Sequence, residues 1–288
     1  MTLHEVLADA RARLVAAGIP EDEASVDVDL FARTILGWDR ARLLVDRRGP
    51  APAALREPFS EWVARRVHHE PAAYIVGTRE FWGLEFEVSP AVLIPRPETE
   101  LVVEEALALL ARESDIGNRH RPLVADIGTG SGCIAVSIAH SVESCRLLAS
   151  DISDSALDVA RRNAARHNVA HRIAFLRTSY LDGTVGPFDL VTANPPYVRE
   201  RDRAGLGRAV LHEPPEAIFG GEEGVRDIGG VLDAAVRTVR SHGCLVMEFG
   251  LGQESAVRSL VSARPGLVLE RVRSDLQEIP RTAIIRRS

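Results

Sequence analysis

The chain has 288 residues, of which 45% are hydrophobic and 26% are charged, and its formal net charge at pH 7 is −6. A chain of this length can bury a large core, and no run approaches the roughly 18 apolar residues of a membrane span. The negative charge gives no electrostatic reason to expect binding to long stretches of nucleic acid.

Residues 1–76 are predicted to form a small helical domain. Apolar residues recur there at helical spacing, and segments such as Gly18-Ile19-Pro20 separate about four helices. The amino terminus mixes charged and apolar residues and lacks the apolar core of a signal peptide. We therefore expect a cytoplasmic protein.

Residues 77–97 change character. The stretch FWGLEFEVSPAVLIP alternates apolar and polar residues, breaks at Ser89-Pro90 and resumes as the apolar Val92-Leu93-Ile94. This pattern predicts a β-hairpin that joins two domains.

From residue 98 to residue 288, helical and strand patterns alternate. A helix is predicted over about 98–112 and a polar loop over 114–122. Apolar strands are predicted over 123–126, 146–151, 173–178, 188–194 and 244–250, with helices between them at 134–140, 155–168 and 230–239. Two last strands, at about 267–272 and 282–286, are expected to close the sheet as a hairpin. The alternation implies a parallel sheet covered on both faces, which binds ligands at the carboxyl ends of its strands.

The segment ADIGTGSGCIAV places Gly128, Gly130 and Gly132 between a strand and a helix. Glycines there let the backbone approach a ligand closely, and N–H groups at the start of a helix favour an anionic group such as a carboxylate or phosphate. The GxGxG spacing argues against a dinucleotide, for which GxGxxG is typical.

Asp151 ends the next predicted strand, 19 residues after Gly132. A carboxylate at this place can accept hydrogen bonds from both hydroxyl groups of a ribose. The alternative is that Asp151 caps the helix starting near Asp154. A nucleoside together with a carboxylate points to S-adenosylmethionine.

The tetrapeptide Asn194-Pro195-Pro196-Tyr197 follows the fourth predicted strand, on the same edge of the sheet. Prolines lack an N–H, so this corner offers acceptors and almost no donors. A planar NH₂ group can donate to the Asn194 side-chain oxygen and to the Pro195 carbonyl, while the Tyr197 ring packs against its plane. Held in this way, an amide nitrogen regains lone-pair character and can attack a methyl group on a sulfonium. A simple strand-ending turn is the alternative.

Metal and disulfide chemistry are not predicted. The three cysteines, Cys133, Cys145 and Cys244, are odd in number and show no CxxC pairing, so we expect small buried side chains. His167 and His171 lie four residues apart without an evident third ligand, which indicates surface residues.

Beyond these motifs, residues 77–107 (GTREFWGLEFEVSPAVLIPRPETELVVEEAL) and 213–224 (EPPEAIFGGEEG) resemble the HemK/PrmC family, the glutamine N5-methyltransferases of peptide chain release factors. The resemblance covers nearly the whole chain, although NPPY alone is shared with adenine-N6 methyltransferases. It implies a class I S-adenosylmethionine-dependent methyltransferase, Rossmann-like with a seven-stranded mostly parallel sheet, over 98–288. The helical domain over 1–76 would recognise the substrate, and 77–97 would be the linker.

The same resemblance implies the roles of single residues. The implied cofactor-binding residues are Phe81, Gly128, Thr129, Gly130, Ser131, Gly132, Asp151, Tyr180 and Asn194. The implied substrate-binding residues are Arg96, Asn194, Pro195, Pro196 and Tyr197, of which Asn194, Pro195 and Tyr197 are catalytic. For Arg96, a structural ion pair with Glu98 or Glu100 is the alternative.

The implied substrate is the glutamine of a Gly-Gly-Gln loop in a class I release factor. No metal, no stable nucleic-acid partner and no membrane are expected, and a monomer is expected. Two departures from the family pattern, Ser179-Tyr180 after the third strand and Ile279-Pro280 near the end, leave open a paralogue that methylates another protein amide. An adenine-N6 nucleic-acid methyltransferase and an inactive adaptor that binds the donor are two further hypotheses.

Overall fold

A computed structural model describes residues 1–114 and 121–288 and divides the chain into two compact units. The first unit comprises Met1–Thr78 and Gly207–His212, and the second comprises Arg79–Leu206 and Glu213–Ser288. Most of the predicted polar loop over 114–122 lies outside the described residues. In the described part of the chain, no helix has the length and apolar character to cross a membrane.

The first unit is helical. Its helices are α1 (Leu3–Ala16), α2 (Glu21–Leu36), α3 (Arg40–Asp46), α4 (Arg56–Val67) and α5 (Ala72–Val76). The sequence predicted about four helices. The fifth, α5, has only five residues, which is too short to show a helical repeat of apolar residues. A capping box begins α1, where Thr2 and Glu5 exchange side-chain to backbone hydrogen bonds, and Gly37 ends α2 in the left-handed region.

A buried arginine connects two helices of this unit. Arg66 on α4 is 2% exposed, donates to the Asp27 carboxylate on α2 at 2.6 Å, and also pairs with Glu23. Burial raises the pKa of Asp27 above its usual value, although the hydrogen bond from Arg66 opposes the shift. The arginine therefore compensates a carboxylate that water does not reach.

A two-stranded sheet follows, formed by β1 (Thr78–Phe81) and β2 (Leu84–Glu87). Trp82 and Gly83 turn the chain with positive φ angles of 55° and 69°. The hairpin predicted within residues 77–97 is therefore formed by β1 and β2, whereas Val92-Leu93-Ile94, where the apolar pattern resumes, has no regular secondary structure. Val92 and Ile94 are nevertheless buried, which explains their apolar character.

The second unit is built on a seven-stranded sheet. Its elements in chain order are α6 (Glu100–Ser114), β3 (Leu123–Ile127), α7 (Cys133–Ser141), β4 (Arg146–Asp151), α8 (Asp154–Arg166), β5 (Ile173–Arg177), β6 (Phe188–Ala193), α9 (Arg226–Thr238), β7 (Val239–Glu248), α10 (Glu254–Ser262), β8 (Leu267–Ser274) and β9 (Pro280–Arg287). The strand order is β5-β4-β3-β6-β7-β9-β8, and only β9 runs antiparallel to its neighbours. This confirms the predicted class I methyltransferase fold, with α10 as an element that the sequence pattern missed.

Alternate residues of the central strands enter two separate cores. Val124 and Leu190 pack with α6 and α7, whereas Ala125 and Val191 pack with α9 and α10. Cys145 and Cys244 are buried as predicted, but Cys133 is only half-buried. The sheet is therefore covered on both faces.

The register aligns the carboxyl ends of the central strands. Ile127 on β3 pairs with Ala193 on β6, and Ala193 pairs with Met247 on β7. The residues that follow, Gly128, Asn194 and Glu248, therefore emerge side by side at one edge. Parallel α/β sheets bind their ligands at this edge.

Replacing Arg66 with leucine is expected to lower the free energy of unfolding by about 3–5 kcal/mol, because Asp27 would stay buried without its ion-pair partner. Urea unfolding of the full chain followed by tryptophan fluorescence measures the loss. Arg65→Leu, on the same helix, removes only the partly exposed pair with Glu70 and is expected to cost about 1 kcal/mol or less. Equal losses in the two variants would contradict this account.

Candidate active site

A cavity of about 350 Å³ lies at the carboxyl edge of the sheet. The predicted site residues that line it are Arg96, Gly128, Thr129, Gly130, Ser131, Asp151, Tyr180, Asn194, Pro195 and Pro196. Residues that are far apart in the sequence thus share one concave surface. Such a pocket with a few convergent polar groups is typical of a ligand site.

Three predicted residues do not line this cavity. Phe81 is 1% exposed and packs edge-on against Phe86 in the core, so the structure does not place it where a cofactor contact was predicted. A Cβ on Gly132 would lie 3.1 Å from the Cβ of Ala160, so this glycine permits close packing of the loop on α8. Tyr197 lies behind the corner, where its hydroxyl donates to a buried carboxylate at the end of β7.

The glycine loop is attached to the end of β4. Gly128, Gly130 and Gly132 all have positive φ angles, of 69°, 53° and 81°. The N–H of Gly130 donates to Asp151 Oδ2 at 2.9 Å, so this donor is engaged within the protein. Glycine tolerates this backbone without strain, and the loop can therefore turn tightly beside the cavity.

Asp151 is held from a second side as well. Its Oδ1 accepts from the Ser153 N–H at 3.0 Å, and burial raises its pKa. The alternative that Asp151 caps the following helix is wrong, because Ser153 is the N-cap residue of α8 and accepts from the Ala156 N–H. The carboxylate is therefore fixed in orientation at the wall of the cavity.

Two buried hydroxyl groups belong to the glycine loop. The hydroxyl oxygens of Thr129 and Ser131 are buried and make no hydrogen bond of good geometry within the described residues, although Thr129 lies near the Asp126 carboxylate and Ser131 near the Cys133 thiol. Burial raises the pKa of Asp126 to about 6, and the hydroxyl groups of Thr129 and Thr192 oppose the shift. Buried polar groups are nearly always well paired, so these hydroxyl groups beside the cavity are available to a polar ligand.

Tyr180 lines the same cavity as Asp151 and has a φ of 45°. Its hydroxyl donates to Asp227 on α9, and a Cβ on Gly230 would lie 2.7 Å from its ring. Burial and this hydrogen bond raise the pKa of Tyr180 to about 12. Asp227 and Glu216 are two further carboxylates that line the cavity. Glu216 lies in the segment 213–224 but was given no role there, and no sequence motif indicated Asp227.

Arg96 reaches the cavity from the segment before α6. It pairs with Glu213, whose other oxygen accepts from the Ile94 N–H at 2.9 Å. The alternative pairing with Glu98 or Glu100 is not the one observed, and Glu100 accepts from the Trp82 N–H instead. Glu213 is 3% exposed and lies 117 residues from Arg96, so its presence in the segment 213–224 did not reveal this pairing.

The proline corner is fixed through its backbone. The Tyr197 carbonyl accepts from Gln253 Nε2 at 2.9 Å, and the Gln253 side-chain oxygen accepts from the Gly250 N–H at 2.8 Å. A Cβ on Gly250 would lie 2.9 Å from Tyr197 Cδ2. The absence of a side chain at Gly250 therefore makes room for the tyrosine ring.

A buried chain of hydrogen bonds lies behind the corner. Asn194 Nδ2 donates to Thr99 Oγ1 at 3.0 Å, and Thr99 donates to Glu248 Oε2 at 2.7 Å. The Tyr197 hydroxyl donates to Glu248 Oε1 at 3.0 Å. Burial raises the pKa of Glu248 to about 7 and also raises the pKa of Tyr197. The only sequence signal for this chain was an acid at the end of a buried strand and a threonine in the IPRPETE segment.

Relatives of known name match both units. Residues 5–77 match the family described as PrmC N-terminal domain, and residues 103–221 match the family described as methyltransferase small domain. The release factor glutamine methyltransferase of Nitratidesulfovibrio vulgaris is 39% identical over 292 residues, which cover 100% of this chain and 96% of that protein. That of Bradyrhizobium diazoefficiens is 36% identical over 277 residues, covering 96% and 92%. The chain belongs to the release factor glutamine methyltransferase family.

Solved structures agree with this family's fold. The hMettl16 catalytic domain in complex with MAT2A 3′UTR hairpin 1 has a TM-score of 0.58 at 14% identity, over 89% of this chain and 90% of that one. A methyltransferase from Pyrococcus furiosus has a TM-score of 0.52 at 18% identity, over 79% and 98%. At these identities the likeness concerns the fold alone. As for metals, in residues 1–114 and 121–288 no group of three potential ligands is placed to hold an ion.

Gly250→Ala is expected to displace Tyr197 and to lower the free energy of unfolding by about 1–3 kcal/mol, because the added methyl group meets the ring. Urea unfolding and a crystal structure of the variant measure both effects. Gly252→Ala is the matched control, since Gly252 has a φ of 77° and open space around it. It is expected to cost about 1 kcal/mol through backbone strain and to leave Tyr197 in place. An unmoved Tyr197 ring in the Gly250 variant would contradict the prediction.

Proposed function

We propose that this chain transfers a methyl group from S-adenosylmethionine to the side-chain amide nitrogen, N5, of the glutamine in the Gly-Gly-Gln motif of class I release factors. The observation that carries the proposal is the orientation of Asn194, whose NH₂ end donates to Thr99 and whose oxygen is thereby left for the cavity. Membership of the release factor glutamine methyltransferase family supports it independently.

The residues of the cavity fit the donor that this reaction needs. Asp151 offers carboxylate oxygens suited to ribose hydroxyl groups, and Tyr180 offers an aromatic wall for a base. The buried hydroxyl groups of Thr129 and Ser131, which line the cavity, suit the charged amino acid end of the molecule. When bound, S-adenosylmethionine supplies a methyl group on a positively charged sulfur.

The corner residues supply the acceptors for the substrate. The Asn194 side-chain oxygen and the Pro195 carbonyl would each accept one hydrogen of the glutamine NH₂ group. Pro196 has no N–H, so it leaves these acceptors without a competing donor. Tyr197 does not line the cavity, and we assign it the support of the corner through Glu248 in place of the predicted stacking on the amide.

The reaction itself changes the nitrogen. An amide nitrogen is a poor nucleophile because its lone pair is delocalised into the carbonyl group. Acceptors that stay fixed while the nitrogen pyramidalises favour the transition state over the ground state. The nitrogen forms the new bond to carbon as the bond from that carbon to sulfur breaks, with its electron pair staying on sulfur. One N–H proton is then lost to solvent, so no base has to act before the attack.

We also propose a division of labour between the predicted domains. The helical domain over 1–76 would recognise the release factor, the segment over 77–97 would link it, and residues 98–288 would carry out methyl transfer. The match of residues 5–77 to the PrmC N-terminal domain supports a family-specific role for the helical part. We propose that the chain acts as a monomer in the cytoplasm, where release factors work.

The reaction is tested by incubating the purified chain with S-adenosylmethionine and a class I release factor, followed by tandem mass spectrometry. We expect a gain of one methyl group on the Gly-Gly-Gln glutamine and none when that glutamine is replaced by alanine. A methyl group on the alanine variant, or transfer to plasmid DNA without transfer to the release factor, would contradict the proposal.

Asn194→Ala is expected to lower kcat at least about 100-fold, because one of the two acceptors for the NH₂ group is lost. Calorimetric titration with S-adenosylmethionine should give a Kd within about threefold of the wild type, since other residues supply most of the donor contacts. Wild-type kcat in this variant would show that Asn194 does not hold the substrate amide.

A further inference from the structure

The hydrogen-bond chain behind Asn194 has a definite direction. Thr99 is 2% exposed and forms part of the cavity wall, whereas Glu248 is 1% exposed and does not line the cavity. The Thr99 hydroxyl has one hydrogen, and this hydrogen is donated to Glu248 Oε2 at 2.7 Å. The Thr99 oxygen can therefore only accept from Asn194, and only the NH₂ end of the Asn194 amide can satisfy it.

This direction matters because the two ends of an asparagine amide have nearly the same shape. With the NH₂ end towards the cavity, Asn194 would present donors to a substrate that itself brings donors. With the oxygen towards the cavity, it presents the acceptor that an NH₂ group needs. The Asn194 side chain by itself does not determine which of its two ends faces the cavity.

We infer that Thr99 and Glu248 are positioning residues that keep the Asn194 amide oxygen directed at the substrate nitrogen. The inference rests on the proposed function and adds to it the groups that set the polarity of the site. Neither residue needs to touch the substrate amide to have this effect. Glu248 also accepts from the Tyr197 hydroxyl, so one carboxylate orients both ends of the corner.

The charge of Glu248 decides whether the arrangement holds. As a carboxylate, Glu248 can only accept, and both hydroxyl groups must point towards it. When protonated, Glu248 can donate a hydrogen bond to the Thr99 oxygen. The Thr99 hydroxyl would then donate to Asn194, and the oxygen end of the Asn194 amide would turn towards Thr99 to accept it. Burial raises the pKa of Glu248 to about 7, and the nearby Glu98 raises it further, whereas Thr99, Tyr197 and Arg281 on β9 lower it.

Threonine variants test the inference directly. Thr99→Val keeps the shape and removes the hydroxyl, and we expect kcat to fall by about 10- to 100-fold, as for loss of one oriented polar contact. Thr99→Ser keeps the hydroxyl and is expected to retain kcat within about threefold. Thr238→Val is the matched control, because Thr238 is a buried threonine on α9 whose hydroxyl donates to the Ala234 carbonyl, away from the corner. It should lose stability without losing kcat.

Glu248→Gln tests the carboxylate. A glutamine side chain has one NH₂ end, which must face either Thr99 or Tyr197. The hydroxyl group that it faces would then have to accept a hydrogen bond in place of donating one. We expect kcat of the wild type to rise as the pH passes through about 7, because Glu248 loses its proton there. In Glu248→Gln, kcat should be lower at every pH and should show no such rise. The double variant Thr99→Val/Glu248→Gln should show about the same decrease in kcat as Thr99→Val alone, because both substitutions interrupt the same chain of hydrogen bonds.

The outcomes separate the inference from the proposed function. Wild-type kcat in Thr99→Val, or a pH step that persists in Glu248→Gln, would overturn the inference while leaving glutamine methylation intact. A wild-type chain that methylates no release factor would overturn the proposed function. In that case neutron diffraction from crystals of the full chain still decides the inference, by showing whether the deuterium atoms of the Asn194 amide face Thr99 or the cavity.

Discussion

The chemistry of this site depends on a group of hydrogen-bond acceptors that must stay still. An acceptor that follows the amide hydrogens as the nitrogen changes geometry stabilises the ground state as much as the transition state and gives no acceleration. The corner at Asn194 to Tyr197 meets this requirement through two prolines and through side chains anchored in the interior. Glu248 at the end of β7 accepts from the Tyr197 hydroxyl, and Gln253 at the start of α10 donates to the Tyr197 carbonyl, so both anchor the corner.

The sheet explains why these parts meet. Parallel strands bring their carboxyl ends to one edge, and the observed register sets Asn194 beside Glu248 and the glycine loop beside Asp151. The donor residues and the corner are thus placed by one backbone arrangement. Two glycines allow close packing around these residues. The Tyr197 ring packs against Gly250 and the Tyr180 ring against Gly230, where a side chain would collide with the ring.

The parts of the site that could be predicted from the sequence are those with a local signal. The glycine loop, Asp151 and the proline corner each follow a recognisable strand, and the rule for parallel sheets brings them together. The roles of Thr99, Glu213, Asp227, Glu248 and Gln253 were missed, although Thr99 and Glu213 lie in segments that carry the family resemblance. Most of their partners lie far away in the chain, 149 residues for Thr99 and Glu248. The contact of Phe81 with the cofactor stays a prediction, because Phe81 does not line the cavity, and the apolar run at Val92 forms no strand. An apolar pattern alone does not distinguish core packing from a ligand contact or a strand.

The most direct measurement is a crystal structure of the chain bound to a class I release factor and S-adenosylhomocysteine. We expect the NH₂ nitrogen of the Gly-Gly-Gln glutamine to lie about 2.7–3.2 Å from both the Asn194 side-chain oxygen and the Pro195 carbonyl oxygen, and to face the sulfur. A glutamine bound away from this corner, or facing the NH₂ end of Asn194, would contradict this expectation.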